Sequence, residues 1–351
     1  MTRKKTVVVL LFLMCGVTLA SPAQKKDTLT IIGVGDIMMG SNYPNDAGLP
    51  PDQGVGLFKE VTSILSNADV TMGNLEGVLL DKGGYAKTCK NPSVCYVFRS
   101  PESYAVNLLN AGFDVMSLAN NHAGDFGDIG RKSSMKALDN VGIAHAGLVS
   151  KPYVIFTKNG VTYGFTAFAP NSGCNSLNDV GAAQKIVSHL DSLADVVIVS
   201  FHGGAEGPTH QHVPRKNELF YGENRGNVYD FAHRMIDAGA DVILGHGPHV
   251  VRAVEVYKNR FIAYSLGNFM TYGGINVSGI NGYAPIVKVY TDPQGMFYQA
   301  RIYAGIQSFR SPVKIDPQNA SLLKIKQLTA HDFPQGGLLI DDQGWVKKST
   351  K

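Results

Sequence analysis

Four times along this chain an Asp-Val pair opens an apolar run: Asp69-Val70, Asp114-Val115, Asp195-Val196 and Asp241-Val242. Residues that are apolar in succession, rather than at alternate positions, mark strands buried on both faces. Each run ends in polar residues. Glu76, Asn121 and His202 stand at the same offset from their aspartates, and the fourth run leads into Gly245-His246-Gly247-Pro248-His249. A hydrophobic core has no need of two histidines flanking a Gly-Pro turn. The carboxyl ends of strands in open α/β sheets are where ligands bind, so the fold must gather these ends on one edge.

Further strand-like runs at 29–34, 113–118 and 162–168 alternate with helix-like stretches at 56–66, 103–111, 133–141, 182–193 and 228–238. This alternation predicts a layered α/β sandwich. Beyond His249 the texture changes to hairpins, 251–256 with 261–266 and 286–290 with 297–303, which predict an antiparallel second sheet. After Arg310 the pattern weakens, although 337–346 reads as a final hairpin. The expected organisation is a signal peptide over 1–23, one large domain over 28–310 and a C-terminal extension over 311–351.

At the N-terminus Arg3, Lys4 and Lys5 precede the apolar run Val7–Leu13 and the small residues Ala20, Ser21 and Ala23. That is the layout of a secretory signal peptide, cleaved after Ala20 or Ala23. The run is short against the ~20 residues of a membrane span. The chain is therefore expected to be exported to the periplasm or cell envelope, with an uncleaved anchor as the alternative. Cys15 follows the bulky Met14, which argues against lipidation. The formal charge of +4 includes the three signal-peptide cations, so the mature chain is near neutral and has no nucleic-acid footprint. Cys89 and Cys95 can close a small loop in an oxidising compartment; two free thiols are the alternative.

Sorted by donor chemistry, Asp36 and Glu76 offer carboxylates, Asn121 an amide oxygen, and His202, His246 and His249 imidazoles. Mixed oxygen and nitrogen donors suit one or two divalent ions of Mn, Fe or Zn better than Ca or Mg. His122, directly after Asn121, is placed to protonate a leaving group. Each residue also has an ordinary role: Asp36 as a cap, Asn120 and Asn121 as a turn, Glu76 as half of a surface pair. Convergence favours the metal, because crowded buried carboxylates and imidazoles are costly without a cation. Asp125 is a candidate orienter of a ligand, and Glu206, His210 and His212 lie in a polar loop suited to substrate contact. His145 and His233 read as packing or surface residues, and His189 and His331 carry no signal.

Together, Gly35-Asp36, Gly73-Asn74-Leu75-Glu76-Gly77, Leu118-Ala119-Asn120-Asn121-His122, Phe201-His202-Gly203, Gly245–His249 and Tyr264–Phe269 resemble the CapA-type poly-γ-glutamate capsule synthesis proteins, a branch of the calcineurin-like metallophosphatases. The resemblance covers about Leu29 to Phe269. It implies a four-layer α/β/β/α sandwich of metallophosphatase type with two mixed sheets and a dimetal site between them. By motif, Asp36, Glu76, Asn121, His202, His246 and His249 would be ligands, His122 the catalytic acid, and Ser265 and Asn268 site-lining residues. The Asp-x-His opening of the wider superfamily is absent, since Ile37 and Met38 follow Asp36. Its bridging Asp is replaced by Asn74 or Glu76. Two functions follow as expectations: an exported hydrolase of a phosphoester or γ-glutamyl amide, or a non-catalytic component that holds anionic polymer within a membrane-bound capsule synthesis or export complex.

Overall fold

The computed structural model describes Thr2 and residues 26–89 and 95–349. The expected signal peptide and its cleavage site fall, Thr2 apart, outside the described residues. Two sheets form the frame. The larger has nine strands. Its main path runs Leu338–Ile340, Trp345–Lys348, Phe297–Tyr303, Ile286–Thr291, Leu29–Met38, Val70–Leu75, Val115–Ser117 and Ala144–Ala146, and Asn268–Thr271 pairs in parallel with the far end of Leu29–Met38. The smaller has six, in the order Val254–Tyr257, Arg260–Ala263, Val242–His246, Val196–His202, Val161–Phe168 and Tyr153–Lys158. The smaller sheet has a parallel centre flanked by antiparallel strands, whereas the larger is parallel from Leu29–Met38 to its Ala144–Ala146 edge and antiparallel on the other side.

The sheets face each other so closely that a Cβ on Gly33 would lie 2.6 Å from Leu244 Cδ1, so any larger residue there would have to displace the buried Leu244 side chain. Helix Val180–Asp191 packs on the smaller sheet and Gly127–Asn140 on the edge of the larger. The result is the four-layer α/β/β/α arrangement with its core between the sheets. Among the described residues no helix is long and apolar enough to cross a membrane.

The recurrent Asp-Val pair has one job in all four places. Asp69 accepts the Thr30 amide (2.9 Å), Asp114 that of Thr71 (2.9 Å), Asp195 that of Thr162 (2.9 Å) and Asp241 that of Val197 (2.7 Å). In return, each aspartate's own N–H donates to the carbonyl of the same partner residue. Every strand thus grips its neighbour before the ladder begins, fixing register where an error would turn buried side chains outward.

Several elements depart from the sequence expectation. The late hairpins form no separate antiparallel sheet: Val254–Tyr257 with Arg260–Ala263 extends the smaller sheet, and Ile286–Thr291 with Phe297–Tyr303 extends the larger. The helix expected over 56–66 shrinks to Thr62–Leu65, preceded by turns in which Asp52 and Gln53 have positive φ and by two glycines that disfavour helix. Helix Gly127–Asn140 starts six residues earlier than expected. Gly130 fits there because a Cβ would come within 3.0 Å of Val78. Helix Ala320–Asp332 was not foreseen, since buried Ser321 and Thr329 blur its apolar period. The final hairpin, Leu338–Ile340 with Trp345–Lys348, pairs with Phe297–Tyr303, so the C-terminal segment completes the larger sheet. Cys89 and Cys95 are joined as a disulfide.

Candidate metal centre

At the carboxyl ends of the parallel strands, Asp36 and Glu76 from the larger sheet meet His202 and His249 from the smaller, each offering one ligand atom within 4.8 Å of the others. His249 Nδ1 lies 3.1 Å from Asp36 Oδ2 and its Nε2 3.6 Å from Glu76 Oε1; His202 Nε2 lies 3.4 Å from the same Glu76 oxygen. Asp36, Glu76 and His202 are fully buried. Among the described residues, both Glu76 oxygens, both His202 ring nitrogens and Asn121 Oδ1 have no hydrogen-bond partner. Buried polar groups are normally satisfied, and an unpaired buried carboxylate costs several kcal/mol. Orphaned atoms of Glu76 and His202 converging with Asp36 and His249 are what a cation site requires; Asn121 Oδ1 is orphaned, but no contact among the described residues ties it to these four.

The local charge agrees. Burial works against protonation of His249, yet the Glu76 charge, the Asp36 hydrogen bond and further carboxylates outweigh it and hold the imidazole up at about 10. Without a metal, His249 thus carries the positive charge that the two carboxylates demand, and a bound cation would take over that charge as the proton leaves. Burial drives His202 the other way, well below the ordinary histidine range, leaving it the neutral imidazole that metals bind. His249 also sits at φ 55°, an uncommon conformation for a residue with a Cβ. Asn268 holds it there, accepting from Nδ1 (3.0 Å) and donating to the His249 carbonyl (3.3 Å).

A polar relay connects the cluster to His122. Asn74 donates to Asp36 Oδ1 (2.9 Å), Asn120 donates to Asn74 Oδ1 (3.1 Å), and Asn120 Oδ1 accepts the His122 amide (3.0 Å). The His122 ring is fixed by Asp125 Oδ2 on Nδ1 (2.8 Å) and by the Phe98 ring packed against it at 4.3 Å between centroids, tilted by 35°. Asp125 is gripped in turn. It accepts the Phe98 amide (2.6 Å), pairs with Lys87 Nζ (2.6 Å), and gives its carbonyl to the Lys87 amide (2.8 Å). Lys87 precedes Cys89 by two residues and Phe98 follows Cys95 by three. Both stems of the disulfide loop therefore close on the Asp125–His122 pair. Neither Lys87 nor Phe98 was foreseen, because only the contact with Asp125 marks them out.

The structure does not bring every expected ligand into the cluster. His246 stands beside His202 in register, but its Nε2 is 2.9 Å from the Val34 carbonyl and its Nδ1 3.2 Å from Ser200 Oγ. It sits one layer beneath the cluster, still inside the strand, while His249 reaches it from beyond the turn at Gly247. A Cβ at Gly247, φ 111°, would lie 2.8 Å from the Gly203 nitrogen. Ser265 spends its hydroxyl on the Val250 carbonyl (2.7 Å), shaping that turn. Glu206 pairs with Arg225 (3.0 Å), a buried arginine that sequence reasoning missed and whose charge helps keep His202 neutral. His210 gives its carbonyl to Arg252 (2.9 Å), and His212 turns to Asp332 on the C-terminal helix. A cleft of about 380 Å³ lined by Met38, Tyr43, Tyr96, Phe98, Tyr272 and Arg310 shares its Phe98 wall with His122. The larger hollow, about 560 Å³ between Tyr283 and Phe309, includes no residue of the cluster.

Fold and site together define an α/β/β/α sandwich with a carboxylate and imidazole cluster where its two sheets meet. Residues 30–272 match the family described as "Bacterial capsule synthesis protein PGA_cap", and the chain belongs to that family. It is 35% identical over 268 residues to the capsule biosynthesis protein CapA of Bacillus anthracis, covering 70% of this chain and 61% of that protein. It is 31% identical over 261 residues to the PGA biosynthesis protein CapA of Bacillus subtilis (strain 168), covering 70% and 63%. The chain thus spans about three-fifths of the length of these curated relatives. Solved structures similar to it include a hypothetical protein from Thermus thermophilus, with TM-score 0.48, 16% identity and coverage of 80% of this chain and 100% of that one. Another is the calcineurin-like phosphoesterase YfkN from Bacillus subtilis, with TM-score 0.45, 14% identity and coverage of 87% and 97%.

Proposed function

We propose that this protein is an exported, metal-dependent hydrolase of metallophosphatase type, acting on a phosphoester or γ-glutamyl amide in poly-γ-glutamate or capsule polymer metabolism. The observation that carries the reading is the set of buried, orphaned donor atoms on Asp36, Glu76 and His202, with His249 completing the group. Two carboxylates and two imidazoles fit one first-row divalent ion, Mn, Fe or Zn. The engagement of His246 with Val34 and Ser200 removes a donor that a second ion would need. A bound ion supplies a polarised substrate oxygen and an acidified water.

The protein's own groups do the rest. Asn74 and Asn268 aim Asp36 and His249 into the cluster. Asp125 on Nδ1 leaves His122 Nε2 to hand a proton to a leaving group, the role of a positioned general acid. The aromatic cleft beside Phe98, with Arg310 on its wall, suits an anionic chain. The names of the Bacillus relatives supply the polymer. Hydrolysis of aryl phosphoesters and γ-glutamyl peptides, assayed in wild type and His122→Ala, tests this reading. The variant should keep its metal and lose turnover by roughly 10²–10⁴-fold. A metal-replete His122→Ala protein with undiminished function would overturn the hydrolase and favour the non-catalytic polymer-binding component.

A further inference from the structure

On the surface, the last turn of helix Ala320–Asp332 meets the segment that follows the His202 strand. His212 Nδ1 lies 2.7 Å and His331 Nδ1 2.9 Å from the same oxygen, Asp332 Oδ1, and the two rings are 4.4 Å apart between centroids. The other Asp332 oxygen is committed to the Val213 amide (3.0 Å), and the Asp332 carbonyl accepts from Arg215 (3.2 Å). The carboxylate is therefore fixed with its Oδ1 facing two imidazoles. The histidine side chains are 55% and 70% exposed, open to an ion from solution, while the Asp332 side chain is 4% exposed.

We infer that His212, His331 and Asp332 form a surface site for a divalent ion of the zinc, nickel and copper group. Two nitrogens and one carboxylate oxygen converge within 4.8 Å of one another, and such a donor set selects these ions over calcium and magnesium. A tetrahedral zinc with bonds of ~2 Å holds its ligand atoms roughly 3.3 Å apart, so each histidine nitrogen need draw back from Asp332 Oδ1 by only about half an ångström, with water as the fourth ligand. Binding through Nδ1 leaves each imidazole's proton on Nε2. The carbonyl end of the helix adds a favourable field for a cation. His331 and Asp332 lie outside the family-matched residues 30–272, so two of the three ligands come from this chain's C-terminal segment and His212 from the matched region. An ion there would staple that segment to the loop bearing His210 and His212. The inference is independent of the hydrolase reading.

Equilibrium dialysis of untagged, metal-stripped protein against Zn²⁺, with bound metal counted by mass spectrometry, tests it. Wild type should bind one equivalent more than the His212→Ala/His331→Ala double variant, and His331→Gln should show the same loss without deleting the side chain's bulk. Glu76→Gln, which disables the central cluster, should retain the surface equivalent. Zn²⁺ should also raise the melting temperature of Glu76→Gln, and this rise should vanish when both surface histidines are replaced. A double variant that binds as much zinc as wild type overturns the assignment.

Discussion

Carboxylates stand at both ends of the parallel strands, structural ones at the amino ends of both sheets and the cluster's Asp36 and Glu76 at the carboxyl ends of the larger, and the two sets live under opposite conditions. At the amino ends, Asp69, Asp114, Asp195 and Asp241 each accept a backbone N–H of the adjacent strand, and Asp69, Asp114 and Asp241 also meet Lys26, Lys158 and Arg260 within ion-pair distance. At the carboxyl ends, Glu76 accepts no hydrogen bond among the described residues, and Asp36 is met by Asn74 and His249. The same chemistry is thus spent on register at one end and held in reserve at the other. Satisfaction of the charge, more than burial, separates structural from functional carboxylates in this molecule.

Substitutions at the two ends should accordingly have opposite signs. Asp69→Ala strips a buried acceptor from the Thr30 amide and hydroxyl and from Lys26, and should lower stability by about 3 kcal/mol in denaturant titrations. A neutral effect would dissolve the contrast. Replacing Cys89 and Cys95 by serine frees the stems that grip Asp125. About 2 kcal/mol of stability should be lost by the loop-entropy account, and the Phe98 amide should exchange its hydrogen faster. At the carboxyl end, Glu76→Gln neutralises a cluster in which two carboxylates face one imidazolium. Metal-free protein should gain about 1 kcal/mol, and a loss as large as that of Asp69→Ala would mean that Glu76 is structural.

The smallest effect concerns pH, and it separates two of the amino-end aspartates. Burial raises Asp69, but hydrogen bonds from Lys26 and Thr30 prevail and hold it below the usual range. Its contribution is present above the unfolded value of about 3.9 and is lost as pH falls through the lower folded value. Asp241 is pushed up to about 6, burial outweighing Val197 and Arg260. Its contribution is complete below about pH 3.9 and is lost as pH rises through about 6. Asp241→Asn should therefore flatten the upper limb of the stability profile and leave the acid limb in place, as read from unfolding midpoints across that range.

Much of this was legible in the chain because the strand ends repeat one construction. The Asp-Val pairs fixed where strands begin, and the common offset to Glu76, Asn121 and His202 located the edge on which they end. His246 misled because a histidine inside a strand and one beyond its turn look alike in sequence; only the packing of His246 against Val34 reveals that it lies a layer too deep. Lys87, Phe98 and Arg225 carried no pattern, since their roles come from contacts across long sequence separations. The His212, His331 and Asp332 triad was illegible for the same reason: it joins a loop to a helix about 120 residues away, and that helix was itself hidden by buried Ser321 and Thr329.

The central claim is that the orphaned atoms at the carboxyl ends belong to a metal ion. It is tested most directly by the metal content of purified protein in wild type, His249→Ala and His246→Ala. The geometry predicts one tightly held first-row ion in wild type, its loss in His249→Ala, and its retention in His246→Ala provided the sheet stays folded. Full occupancy in His249→Ala, or a wild-type protein that takes up no such ion when Mn, Fe and Zn are supplied, would contradict it.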